Sequence, residues 1–255
     1  MSRCVATGLD NREYEKVLHD AAAWDYERKV SEWSVEHKYF ISARWGRNFR
    51  GLFLDYGCGT GLVSRYIANI GREIIGVDIS KNMCKIAKKL WRIQVVIGDC
   101  LNLPFKDKAF DVICISGVLH HFPHQLERAF SEIGRCASKA VCIIESSATP
   151  PRTFLRPILF LNKLYGWILS RLYTYTHIRE KYTCSIFEKP LDPHRLVKLC
   201  KKEGLQISEI RFFNHIPRIA FLPESFRKHL VNSMLSFDRG TDVEIIATRY
   251  TFKQK

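Results

Sequence analysis

A chain of 255 residues, 46% of them hydrophobic, can bury one substantial core, so disorder is not the default and the length favours one domain or one domain plus an appendage. The formal charge of +14 is uneven: residues 1–150 hold 21 Lys and Arg against 17 Asp and Glu, and residues 151–255 hold 19 against 9, an excess that suits an anionic partner or plain solubility. Nine scattered cysteines form no C-x-x-C pair, and neither a leader nor a run of about 20 apolar residues occurs, so the chain reads as a cytoplasmic protein without disulfides, a metal site or a transmembrane segment.

In chain order, Asp10 suits the cap of a helix through Tyr14, Val17, Leu18 and Ala21, and a second helix is expected near Ser31 to Asn48. Trp24, Tyr26 and Trp33 in this region read more readily as core than as ligand contacts. From Gly51 short apolar strands alternate with amphipathic helices, the pattern of repeated βαβ units. Strands are predicted at 52–56, 73–78, 94–98, 110–116 and 140–145, each nearly continuous in apolar character, as strands covered on both faces are. Between them Val63, Tyr66, Ile67 and Ile70, then Met83, Ile86, Ala87 and Leu90, then Leu126, Ala129, Phe130 and Ile133 recur at helical spacing and form three stripes facing the sheet. Gly71 suits the end of the first of these helices and Ser80 the cap of the second.

After Pro150-Pro151 the alternation stops, and residues 153–172 become densely apolar with a thin polar stripe of Arg156, Lys163 and Ser170, the form of an inserted amphipathic helix or helix pair. Asp192-Pro193 then starts a helix closed by Gly204, and strands near 206–213 and 243–250 complete the sheet. The expected architecture is a doubly wound, mainly parallel, seven-stranded α/β sheet of Rossmann-like form. Its parts are an N-terminal helical cap (1–50), a ligand-binding α/β core (51–149), a helical insert placed to act as a lid (150–191) and a C-terminal completion (192–255).

Three strand ends offer groups for a nucleoside. Asp55-Tyr56-Gly57-Cys58-Gly59-Thr60-Gly61 ends the first strand and opens a helix, where glycines allow a tight turn and close approach of a ligand. Asp78, 21 residues beyond Gly57 and ending the second strand, can accept both hydroxyls of a ribose. Asp99 and Cys100 follow the third strand, where a carboxylate and a backbone N–H can meet the amino group and a ring nitrogen of adenine. Each carboxylate equally suits a strand-end turn in which it bridges backbone groups. A dinucleotide fingerprint would place Gly or Ala at position 62, which is Leu.

The segments DYGCGTG, GVDIS, GDCLNLPFKDKAFDVICISGVLHHF and VCIIE together resemble the class I S-adenosylmethionine-dependent methyltransferases, specifically the type 11 group, over about residues 51–146. The resemblance implies that Asp55 and Gly57, Cys58, Gly59, Thr60 and Gly61 surround the methionine part of S-adenosylmethionine, that Asp78 with Ile79 holds the ribose, and that Asp99 and Cys100 recognise adenine. It departs at Ala137-Ser138-Lys139, where the family has a Pro-Gly-Gly turn. His120 and His121, just beyond the fourth strand, are the candidates for acid–base work at the acceptor, with a satisfied turn histidine the plainer alternative for each.

No Asp/Asn-Pro-Pro-Tyr run follows the fourth strand, so the usual signature of amino methylation in nucleic acid is missing. The apolar insert points to a small, partly apolar acceptor, lipid-like molecules included. A tRNA-modifying enzyme using the basic second part, and a nicotinamide-binding or non-catalytic Rossmann protein, are the other readings.

Overall fold

The computed structural model describes residues 11–30, 35–148, 190–213 and 242–249. Expectations for Asp10, Trp33 and residues 150–189 of the insert at 150–191 lie outside them, and so does that for the Tyr26 side chain.

The two N-terminal helices are α1 (Asn11–Val30) and α2 (Val35–Asn48). The βα alternation follows as β1 (Phe53–Tyr56), α3 (Leu62–Asn69), β2 (Ile74–Asp78), α4 (Lys81–Trp91), β3 (Gln94–Ile97) and β4 (Phe110–Ser116). A 3-10 turn at Leu119–His121 leads to α5 (Leu126–Cys136) and β5 (Ala137–Ser146), and then α6 (Pro193–Lys202), β6 (Gln206–Phe213) and β7 (Asp242–Thr248). The seven strands lie in the order β3-β2-β1-β4-β5-β7-β6. The first five run parallel, and β7 is antiparallel to both β5 and β6.

Side chains of each strand alternate between two apolar layers, because successive Cβ atoms point to opposite faces. Phe53, Val112, Cys114, Cys142 and Ile246 meet Ile41 and Trp45 of α2 and Val63 and Ile67 of α3 on one face. Leu54, Tyr56, Ile113, Ile115 and Ile143 meet Leu126, Phe130 and Ile133 of α5 and Leu196 and Cys200 of α6 on the other. The expected stripes hold, with three differences of detail, the first being Val17 of α1, which is exposed. Leu90, near the end of α4, is exposed, and so is Trp24 of α1, whose ring is covered on one side by the Lys89 ammonium 5.4 Å from its centroid.

The expected caps form. Ser80 accepts the N–H of Met83 at 3.1 Å, Asp192 accepts that of His194 at 3.0 Å, and Gly71 takes the left-handed conformation (φ 75°) just past α3. The fifth strand is longer than expected. Ala137, Ser138 and Lys139 belong to it rather than to a turn, because α5 ends at Cys136 directly into extended backbone and Ala137 pairs with Phe110.

The parallel strands all end on one side, and the loops there are tied together. Tyr56 donates its hydroxyl to the Cys100 carbonyl at 2.8 Å, joining β1 to the loop after β3. Arg128 of α5 donates to the Leu101 carbonyl at 2.9 Å, and Glu132 accepts the Leu103 N–H at 2.7 Å, which fix that loop from below.

Candidate active site

The turn after β1 is built by three glycines with positive φ, at 57, 59 and 61. Two of them are required by neighbours as well as by conformation. A Cβ on Gly57 would come within 2.6 Å of Val118, and one on Gly61 within 3.0 Å of Ala87. Above Gly59 there is open space, with nothing within 4 Å of where a Cβ would stand. Beside it the buried Thr60 hydroxyl has no hydrogen-bond partner among the described residues, an arrangement that invites a polar ligand.

Asp55 lies under this turn. Its Oδ2 accepts both the backbone N–H (3.0 Å) and the hydroxyl (2.5 Å) of Ser64, in the first turn of α3. A carboxylate of the chain itself thus occupies the positive end of the helix that a dinucleotide fold gives to phosphate, and the buried Leu62 closes the approach. This weighs against the nicotinamide alternative.

Asp78 sits at the end of β2 with both oxygens aimed by backbone. Oδ2 accepts from Gly59 N and Oδ1 from Ser80 N, each at 2.8 Å. Ionised carboxylate oxygens offer about four lone-pair sites, so two remain for a diol. Burial raises the Asp78 carboxyl above the usual aspartate value, against the pull of those two N–H groups and of His19 and His121. Half-buried Ile79 follows in the bend leading to α4. Cys58 and Cys100 are buried, and both thiols are pushed well up, Cys58 by its hydrogen bond with Cys84 and then by burial, Cys100 by burial, so both contribute backbone and bulk rather than thiolate chemistry.

Asp99 stands after β3 with Oδ1 accepting the Leu101 N–H at 2.9 Å, and its other oxygen is ion-paired with Arg12 of α1. The helix therefore crosses the strand ends. It is clasped by Asp20, which accepts the Ser80 hydroxyl at 2.5 Å and the Asn82 N–H at 2.9 Å.

Past β4 the two histidines face different partners. His120 Nδ1 is 2.8 Å from Oε2 of Glu145, a buried carboxylate on β5 whose Oε1 accepts the N–H groups of Val118 and Leu119 at 2.7 Å each. Burial alone would raise the Glu145 carboxyl, but the His120 bond and charge and the two N–H groups hold it below the ordinary glutamate value. His121 turns toward α1, its Nδ1 3.3 Å from Oε2 of Glu15, with the His19 ring edge-on at 4.9 Å.

The residues named from the sequence therefore gather at four adjacent strand ends, β3-β2-β1-β4, under α1. Sequence reasoning missed Glu145, Glu15 and His19. A lone carboxylate ending the apolar run VCIIE was the available signal for the first; the other two look like ordinary polar positions of a helix.

Residues 54–143 match the family model described as a methyltransferase domain. Over 174 residues the chain is 36% identical to demethylmenaquinone methyltransferase of Staphylococcus carnosus, a match spanning 63% of this chain and 70% of that protein. It is 29% identical over 132 residues to a probable tRNA methyltransferase 9B of Mus musculus, covering 51% of this chain and 28% of that one. Among solved structures, magnesium protoporphyrin IX methyltransferase of Synechocystis PCC 6803 with bound S-adenosylhomocysteine superposes with a TM-score of 0.61 at 16% identity, over 94% of this chain and all of that one.

Proposed function

Since the chain belongs to the S-adenosylmethionine-dependent methyltransferases of the type 11 methyltransferase-domain family, and is such an enzyme, we propose that it methylates a small, partly apolar acceptor held between the 3-10 turn at Leu119–His121 and α1. The observation that carries this reading is the extent of likeness. It reaches most of a relative named for a quinone-type small molecule, but little more than a quarter of the one named for tRNA. The apolar composition of residues 153–172 supports it from the sequence side, as part of a segment (150–191) acting as a lid.

The site's donors fit the cofactor. Open space over Gly59 and the unsatisfied Thr60 hydroxyl suit its amino-acid end, lined by Gly57 to Gly61 and supported from beneath by Asp55. Asp78, pre-aimed by Gly59 and Ser80 with Ile79 alongside, suits the ribose, and Asp99 with the Cys100 backbone suits adenine once Arg12 shares or releases that carboxylate. When bound, S-adenosylmethionine supplies an electrophilic methyl group on a sulfonium.

The chain's own part is placement. Aligning an acceptor atom with the methyl group is worth about 7 to 11 kcal/mol in favourable systems. Here α1 covers the strand ends and limits water. His120, bound to Glu145, is a positioning residue for the turn. His121 on the same turn faces the acceptor space, and we assign it the proton that an acceptor hydroxyl loses.

The second reading, a tRNA acceptor, draws on the tRNA-methyltransferase likeness and on the basic excess of residues 151–255. One experiment separates them: mass-resolved methyl transfer from S-adenosylmethionine to an apolar metabolite extract and to bulk tRNA. Methylated small molecules with unchanged tRNA support the first reading. Methylated tRNA, with binding that weakens steeply as salt rises, supports the second.

A further inference from the structure

Glu15 and His19 are four residues apart on α1 and so share one face of the helix. His19 Nε2 lies 3.3 Å from Glu15 Oε2, and His121 Nδ1 lies 3.3 Å from that same oxygen. One donor atom from each of the three residues falls within a span of 4.8 Å. A charge-assisted N–H···O⁻ bond closes to about 2.7–2.9 Å. By contrast, the edge of a tetrahedron with metal–ligand bonds of about 2.0–2.1 Å is about 3.3–3.4 Å.

Both walls of the cluster are fixed from behind. Asp20 clasps α1 to Ser80 and Asn82, and Glu145 holds the 3-10 turn through Val118, Leu119 and His120. The three side chains are mostly buried, with relative exposures of 11% for Glu15, 27% for His19 and 16% for His121. Two imidazoles and one carboxylate suit zinc and its first-row neighbours, and three protein ligands leave a position open, as catalytic rather than structural sites do.

We propose that Glu15, His19 and His121 form a binding site for one divalent transition-metal ion of the zinc class, with its open position facing the acceptor. The inference rests on the proposed function only in placing the acceptor there. With an ion held there, His121 would serve as a ligand in place of the base role assigned above, and the ion would make a bound acceptor hydroxyl more acidic, its proton leaving to water and its electron pair staying on oxygen. Glu15 and His19 have the i, i+4 spacing of ligands on one helix face, but the third ligand lies about a hundred residues beyond them, so the set as a whole has no compact sequence signature.

The test is titration of chelator-treated full-length protein with Co²⁺, read by visible absorption, followed by displacement with Zn²⁺. One equivalent should bind with the visible bands of a tetrahedral nitrogen–oxygen site and without thiolate charge-transfer absorption. Glu15→Gln and His19→Ala should each weaken Co²⁺ binding by more than the roughly 10- to 100-fold that losing a partner behind a ligand costs. His194→Ala, on exposed α6 backbone, should bind as the parent does, and circular dichroism verifies folding of each. No saturable binding, binding by both cluster variants as tight as the parent's, or thiolate bands would overturn the site. Methyl transfer by the stripped protein is measured in parallel: activity without Co²⁺ binding removes the metal site and leaves the acceptor reading standing.

Discussion

His120 and Glu145 are joined at 2.8 Å across the gap between the turn after β4 and the end of β5, so the two strands' ends are held by one buried carboxylate. Each charge-assisted hydrogen bond of this kind is worth about 1.5–3 kcal/mol. Glu145→Gln should therefore lower the denaturation midpoint at neutral pH. The Glu145 carboxyl is depressed in the folded protein by His120 and the two N–H groups, overcoming burial. Its contribution is thus fully present above the ordinary glutamate value and is lost as pH falls through the depressed one. Urea midpoints taken from about pH 6 to about pH 3 should converge for parent and variant as the acid limb is reached. A constant gap across that range would mean that the carboxylate's charge is not what holds the turn.

Asp78→Ala should weaken S-adenosylhomocysteine binding by roughly 10- to 150-fold, the equivalent of about 1.5–3 kcal/mol, as measured by isothermal titration. Asp78 also anchors Gly59 and Ser80, so Asp78→Asn serves as the milder variant that retains acceptor oxygen for one of those N–H groups. Unchanged affinity in both removes Asp78 from the ribose site.

Arg12 is ion-paired with Asp99, the carboxylate to which the proposed site assigns adenine. The Arg12 side chain is 40% exposed, and ion pairs of that kind are worth about 0.2–1 kcal/mol. Arg12→Gln should tighten S-adenosylhomocysteine binding by about 1.5- to 5-fold. Weaker binding would instead make Arg12 a ligand of the nucleoside.

His121→Ala should reduce single-turnover methylation by about 10²- to 10⁴-fold while cofactor affinity changes little, whether the imidazole takes a proton itself or holds an ion that promotes its loss. Equal loss in both quantities would place His121 at the adenosine rather than at the acceptor.

The strand ends were legible because their chemistry is local: a Gly-rich turn after LFLDY, an Asp closing EIIGVD, a Ser in capping position two residues later. What Asp55 does was less legible, since its partner Ser64 is nine residues away on α3 and nothing in the spacing separates a ligand-facing oxygen from one that holds a helix. Glu15 and His19 carry no sequence signal beyond their i, i+4 spacing. Their meaning comes from where α1 lands, and that is set by long-range bonds such as Asp20 to Asn82. The departure at 137–139 from the family's turn has a visible reason: Ala137 pairs with Phe110 and its carbonyl accepts from Arg249 at 3.0 Å, so extended backbone runs through it and β5 begins earlier than its apolar run indicates.

The position of β7 between β5 and β6 governs the order in which the chain can assemble during synthesis. β5 ends at Ser146 and β7 begins at Asp242, so about 96 residues, or roughly 5 to 20 s of translation, separate the two partners. Throughout that interval the edge of β5 away from β4, at Val141, Cys142 and Ile143, lacks its β7 partner, and β6 lacks the strand it pairs with in the finished sheet. Chains synthesised through β5 but not yet through β7 are therefore the forms most open to edge-to-edge association.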